Sequence, residues 1–216
     1  MWVILVLIFS IIVYGLWEFR SHHYHLKSLP IRVHVNGIRG KSSVTRLIAG
    51  GLRGGGLKVF AKTTGTKPRM IFVDGTEVPV LRLGKANVIE QTRIVAEAAR
   101  QKVDYFVTEC MGVEPHLQLL LERQFIRSQV GVITNVRSDH LDEMGPTLAH
   151  VAASLCNSIP KDGIVFTAED QYLNIIEERA KMRGSKVCKT DSNTVCDDDL
   201  RGFSYLEHKD NVALGF

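Results

Sequence analysis

The sequence predicts an α/β protein: a mostly parallel sheet with helices on both faces, preceded by one apolar N-terminal helix. Three observations carry that expectation. Short buried-looking runs such as Ile31–Asn36, Val103–Thr108 and Val130–Thr134 alternate with segments of helical periodicity, the rhythm of strand–helix–strand units. The first run ends in a glycine turn that opens a helix, Gly37-Ile38-Arg39-Gly40-Lys41-Ser42-Ser43. Trp2 to Trp17, finally, is apolar throughout except at Ser10, Tyr14 and Gly15.

That apolar stretch sits at the short end of the roughly 17–25 residues a membrane span needs. No basic region precedes it and no small-residue cleavage site follows, which argues against a removed signal peptide; an apolar helix docked on the domain is the alternative. Arg20 and Lys27 come after it, so the positive-inside rule puts the rest of the chain in the cytoplasm. The expected organisation is a single-pass cell-membrane anchor over 1–19, a juxtamembrane linker over 20–30 and one domain over 31–216. His22, His23 and His25 read as part of a solvated linker rather than a metal site.

Charge excludes one class of partner. Lys and Arg number 27 against 23 acids, a net +4, and the two signs are interspersed, leaving no basic stripe for nucleic acid. Cys110, Cys156, Cys188 and Cys196 show no ligand-like spacing, and free thiols in a reducing compartment are the simplest reading.

Along the domain, Val44, Leu47, Ile48 and Leu52 form the inward face of a helix over 42–52, stopped by Gly54-Gly55-Gly56. A strand over 57–61 leads into the polar loop from Lys62 to Arg69. Asp74-Gly75-Thr76-Glu77 between Met70–Val73 and Val78–Leu81 signals a hairpin. Helices are expected over 87–102, 114–123, 147–159 and 170–182, with a further strand over 163–167. Asn211 to Phe216 reads as another strand, and the chain reads as short at its C-terminus.

The chemistry-bearing residues gather after strands, where open α/β sheets bind ligands. In the Asn36–Ser43 turn, Gly37 and Gly40 let backbone amides approach an anion, and the helix that follows offers free N–H groups and its positive dipole end. Lys41 suits the β/γ phosphates of a nucleotide, and the Ser42 hydroxyl suits a magnesium ion. Val35 stands where a full P-loop has its first glycine. Glu109 ends an apolar strand where a magnesium-holding carboxylate would sit; a helix-capping or surface glutamate is the alternative. Asn135, Asp139, His140 and Asp142 cluster after the next strand, with His140 a candidate metal ligand and either aspartate its support. Thr63-Thr64-Gly65-Thr66 is either a substrate-facing loop or a plain one.

Taken together, Val35–Ser43, Glu109 in Thr108-Glu109-Cys110-Met111-Gly112, and Val132-Ile133-Thr134-Asn135 followed by Asp139-His140-Leu141-Asp142 and Gly145 resemble the shortened P-loop and second signature of the Mur ligase superfamily, which includes folylpolyglutamate synthetase. The N-terminal anchor running straight into the P-loop domain, with Lys62–Arg69 and Asp139–Thr147, looks like the ATP-dependent ligase subunits of bacterial poly-γ-glutamate (capsule) synthases. The resemblance implies the superfamily's central P-loop domain fold and an amide ligase using ATP and Mg2+, with glutamate and poly-γ-glutamate as substrates, an acyl-phosphate intermediate, and other membrane subunits as partners.

Carried over by position, Lys41, Glu109 and His140 are the catalytic set. Asn36, Gly37, Ile38, Arg39, Gly40, Lys41, Ser42, Ser43 and Asn135 bind nucleotide. Ser42 and Glu109 bind a first magnesium and His140 a second. Thr63, Thr64, Gly65, Thr66 and Asp139 face the substrate. Two departures accompany the resemblance: Ser154 occupies the place of the superfamily's carbamylated lysine, and its C-terminal domain is expected to be missing. The alternatives are a nucleotide-binding but catalytically incomplete membrane subunit, or another P-loop ATPase or kinase.

Overall fold

The computed structural model describes residues 1–65, 67–82, 84, 87–201 and 208–216. Helix α1 (Trp2–Ser28) leads into strand β1 (Ile31–Asn36). Helix α2 (Lys41–Gly54), strand β2 (Val59–Lys62) and a hairpin of β3 (Arg69–Ile71) and β4 (Glu77–Pro79) follow. Next come α3 (Glu90–Arg100), β5 (Tyr105–Glu109), α4 (Pro115–Leu120) with a π-helical turn at Leu121–Ile126, and β6 (Val130–Ile133). The remainder is α5 (Leu141–Met144), α6 (Leu148–Leu155), β7 (Ile164–Thr167), α7 (Leu173–Met182), β8 (Lys186–Lys189) and α8 (Lys209–Ala213).

The strands form one sheet in the order β4-β3-β2-β5-β1-β6-β7-β8. Pairing is parallel along β2-β5-β1-β6-β7-β8 and antiparallel where β3 pairs with β2 and with β4. Strand alternation sends neighbouring residues to opposite faces. Val33, Val35, Val59, Ala61, Val107 and Val132 pack with Val44 and Ala49 of α2 and with Leu214. Phe60 and Phe106 point the other way, to Ile94, Val95 and Ala98 of α3 and to Leu26 and Leu29. On that same face Ile133 and Val165 meet α6 and α7. Helices thus cover both faces, as the sequence predicts.

Two segments differ from the sequence reading. Residues 20–28, expected as a solvated linker, continue α1 as helix; His22, Leu26 and Leu29 are buried, a 4–3 spacing that makes one helical stripe against α3. Arg32 fixes this junction by donating to the carbonyls of Leu26, Leu29, Ile126 and Arg127. Of the C-terminal run from Asn211, expected as a strand, Asn211–Ala213 form the end of helix α8 and the rest is a turn. Val212 and Ala213 pack against Leu47, Val195 and Leu200, a demand met by one helical turn and not by an extended chain. Helix α1 is long and apolar enough to cross a membrane, and its most apolar 18-residue window is 0% buried.

Candidate functional site

Parallel pairing brings the ends of β1, β2, β5 and β6 level, and the loops after them build the site. The loop after β1 turns on two glycines with positive φ, Gly37 at 132° and Gly40 at 81°. A Cβ on Gly37 would lie 2.0 Å from Thr134 Oγ1, so the close approach of this loop to the end of β6 admits no side chain. Thr134 Oγ1 donates to the Arg39 carbonyl at 2.6 Å and Asn135 Nδ2 to the same oxygen at 3.0 Å. Asn135 also accepts the Ile38 N–H on its carbonyl and the Arg39 N–H on its side chain. Asn135 therefore clamps the glycine loop from outside.

Helix α2 begins at Lys41, which folds back so that its ammonium donates to the carbonyls of Gly37 at 2.7 Å and Ile38 at 3.2 Å. One residue on, Ser42 Oγ donates to Glu109 Oε2 at 2.6 Å. The Thr64 N–H donates to the same oxygen at 2.7 Å. Glu109 is 3% exposed. Ser43 lies in the same first turn, with no side-chain hydrogen bond among the described residues.

Gly37, Lys41, Thr64, Gly65, Glu109 and His140 line one cavity of ≈ 210 Å³. His140 reaches it from a left-handed backbone, φ 53°. Its ring lies 4.0 Å from Asp139 and 3.9 Å from Glu143, beyond hydrogen-bond reach, so Asp139 does not orient the ring. Asp139 instead pairs with Arg39 at 2.7 Å, and Asp142 makes no bond to the ring.

Asn36 lines the same cavity, while Thr63 and Ser154 are not among its lining residues. The Asn36 carboxamide is buried and donates to Gln118 and Ser158, so it ties β1 to the helices behind it. Thr63 closes the turn into β3, exchanging hydrogen bonds with Arg69. Ser154 is buried on α6 and accepts from Gln118 Nε2, away from the cavity. Thr66 lies outside the described residues.

The structure adds a buried charge network that the sequence reading missed. Lys62, the last residue of β2, is 0% exposed and pairs with Glu90 at 2.9 Å. Glu90 also takes a two-pronged contact from Arg82 at 2.6 and 3.0 Å, and Arg82 lines the cavity. Burial pushes the pKa of Lys62 down, with Glu90 opposing it. Burial works against the Glu90 carboxylate too, but Arg82 and Lys62 outweigh it and hold its pKa low. The available signal was a cation at the end of a strand paired in parallel with the strand of Glu109.

These groups suit a nucleotide with a hard divalent ion. The glycine loop leaves room for phosphate against backbone N–H groups at a helix start. Ser42 and Glu109 supply oxygens, the donor type magnesium prefers. Among the described residues no three His, Cys, Asp or Glu side chains form a cluster that could hold a metal alone. An ion at Ser42 and Glu109 would complete its shell with phosphate oxygens and water, as magnesium sites commonly do.

Residues 35–214 match the Mur ligase middle domain. The chain belongs to this family. It is 43% identical over 206 residues to the capsule biosynthesis protein CapB of Bacillus anthracis, covering 94% of this chain and 44% of that protein. It is 38% identical over 216 residues to the PGA synthase CapB of Bacillus subtilis (strain 168), covering 99% of this chain and 55% of that one. The chain thus spans about half the length of these relatives. Among solved structures, E. coli FolC in complex with DHPP and ADP superposes with a TM-score of 0.61 at 16% identity, covering 80% of this chain and 45% of that one. A bifunctional folylpolyglutamate synthase/dihydrofolate synthase with Mn, AMPPNP and L-glutamate bound gives 0.61 at 16% identity, covering 81% and 47%. At that identity the likeness is one of fold.

Proposed function

We propose that this chain carries the ATP-binding centre of an amide ligase that adds glutamate to poly-γ-glutamate. In this reaction a γ-carboxylate oxygen at the polymer end attacks the γ-phosphorus of ATP, the bond to the β–γ bridging oxygen breaks, and ADP leaves. The amino group of the next glutamate then attacks the acyl carbon, loses a proton, and inorganic phosphate departs. Such chemistry asks the protein mainly for positioning and charge neutralisation.

The roles follow from position. Lys41 holds the β/γ phosphates, and Gly37 to Ser43 supply the backbone cradle, braced by Asn135. Ser42 and Glu109 would hold magnesium, which would neutralise phosphate charge, and His140 would hold a second ion. Thr64 and Gly65 border the acyl side, while Thr63 and Asp139 support it through Arg69 and Arg39. The observation that carries this reading is that Ser42 and Thr64, from two different loops, converge on one oxygen of Glu109 beside Lys41. The name PGA synthase, borne by the Bacillus subtilis relative, supports the polymer as substrate; other membrane subunits as partners are part of the same proposal.

The apolar stretch of α1 is the proposed single-pass anchor, with the domain on the cytoplasmic side; Arg20 and Lys27 support that orientation. Lys41→Ala in a complete, membrane-assembled synthase tests the function. Polymer formation from ATP and glutamate is expected to disappear, and undiminished polymer overturns the proposal.

A further inference from the structure

A second cavity, of ≈ 480 Å³, opens at the other end of the sheet, where β6, β7 and β8 begin. Arg123, Arg127, Lys161 and Arg183 line it. The acid in its wall, Glu122, is 1% exposed and turned inward, where its oxygens accept from the Ser128 N–H and hydroxyl and pair with His34. Asp162 is near, 3.9 Å from Lys161 on an exposed edge. Arg183 Nε is buried with no hydrogen-bond partner among the described residues. Burial, and next the like charge of Arg123, lower the pKa of Arg183. Crowded guanidinium groups with an unmet buried donor are arranged as a phosphate or carboxylate receptor would be.

The position of the pocket narrows the ligand. Its wall, the turn Leu121–Ile126, is pinned to α1: the His22 ring lies 5.7 Å from that of Phe125, Ile126 shares a core with Leu26 and Leu29, and Arg32 joins the Leu26 and Leu29 carbonyls to that of Arg127. Three helical residues, about 4.5 Å of rise, separate Phe19 at the end of the apolar stretch from His22. The headgroup layer of one leaflet is about 5–7 Å deep. The contacts of this wall to α1 run from His22, at that depth, to Leu26, about 10 Å of rise beyond Phe19, so the basic side chains that flank it border the headgroup layer when α1 spans a bilayer.

We propose that this pocket binds a phosphate anion, and that the phosphate is that of an anionic lipid headgroup. The inference rests on the membrane reading of α1 and is independent of the ligase chemistry. Native mass spectrometry of the full chain in detergent, with added phosphatidylglycerol or phosphatidylcholine, tests it. Phosphatidylglycerol should be retained preferentially, and Arg127→Gln with Arg183→Gln should weaken its retention about fivefold per arginine, with ATP binding unchanged. Lys161→Gln, at an exposed position, gives the same reading with less risk to folding. Equal retention of the two lipids, or retention untouched by these variants, overturns the proposal. Protection by inorganic phosphate with no preference for phosphatidylglycerol overturns the lipid assignment. If α1 does not span a bilayer, lipid retention fails while ATP binding persists.

Discussion

Ser42 Oγ lies 2.6 Å from Glu109 Oε2, although 67 residues separate them. With the Thr64 N–H on the same oxygen, one carboxylate joins the loop after β2 and the helix after β1 to the end of β5. The parallel register makes this convergence: Val35 pairs with Glu109 and Lys62 with Thr108.

Glu109→Gln keeps an oxygen for the Thr64 N–H but removes the charge. Thermal stability should change little, while the magnesium needed for half-maximal ATP turnover should rise by at least about 10–100-fold, the cost of losing even an outer partner of a metal ligand. Magnesium titrations of the complete synthase check it, and an unchanged requirement would remove Glu109 from the metal site.

Gly37→Ala should be harsh for two reasons, φ at 132° and a Cβ 2.0 Å from Thr134 Oγ1. A loss of about 1–3 kcal/mol is expected from the strained backbone, with the stabilisation conferred by ATP abolished. Adding Thr134→Ala should restore only part, because the Thr134 amide also lies 2.9 Å from the new Cβ. Urea unfolding with and without ATP reads both effects.

The parallel core and the position of the glycine loop were legible because apolar strands, helical stripes and a glycine turn are local signals. Glu109 and His140 were legible as strand-end residues, and both line the cavity. Long-range choices were not local. Nothing near Asn36 tells that its carboxamide serves Gln118, 82 residues away. Lys62 reads as the first residue of a polar loop until β3 and Glu90 enclose it. Residues 20–28 look polar enough for a linker, and only α3 and the turn Leu121–Ile126, both distant in sequence, give their buried stripe something to pack on. The run from Asn211 is too short for its own pattern to choose helix over strand.

The Lys62–Glu90–Arg82 network predicts an asymmetry. Glu90→Ala leaves Lys62 fully buried without its counter-charge and should cost about 3–5 kcal/mol. Lys62→Met leaves Glu90 its two contacts from Arg82 and should cost distinctly less. Equal losses in denaturant unfolding would mean that the pair does not act as a buried ion pair.

His34 predicts a pH response. Burial alone would lower its pKa, but Cys110 and Glu122 outweigh that and raise it to about 10, against about 6.5 for the unfolded chain. The folded state therefore keeps a proton that the unfolded state releases between those values. The stabilisation is fully present below pH 6.5 and fades as pH rises through 10, with a slope of at most about 1.4 kcal/mol per unit for one proton. Urea unfolding from pH 6 to 10 should show this decline, and His34→Gln, which retains a donor toward Glu122 without the titration, should flatten it. A decline of the same slope in His34→Gln would assign the response to another group.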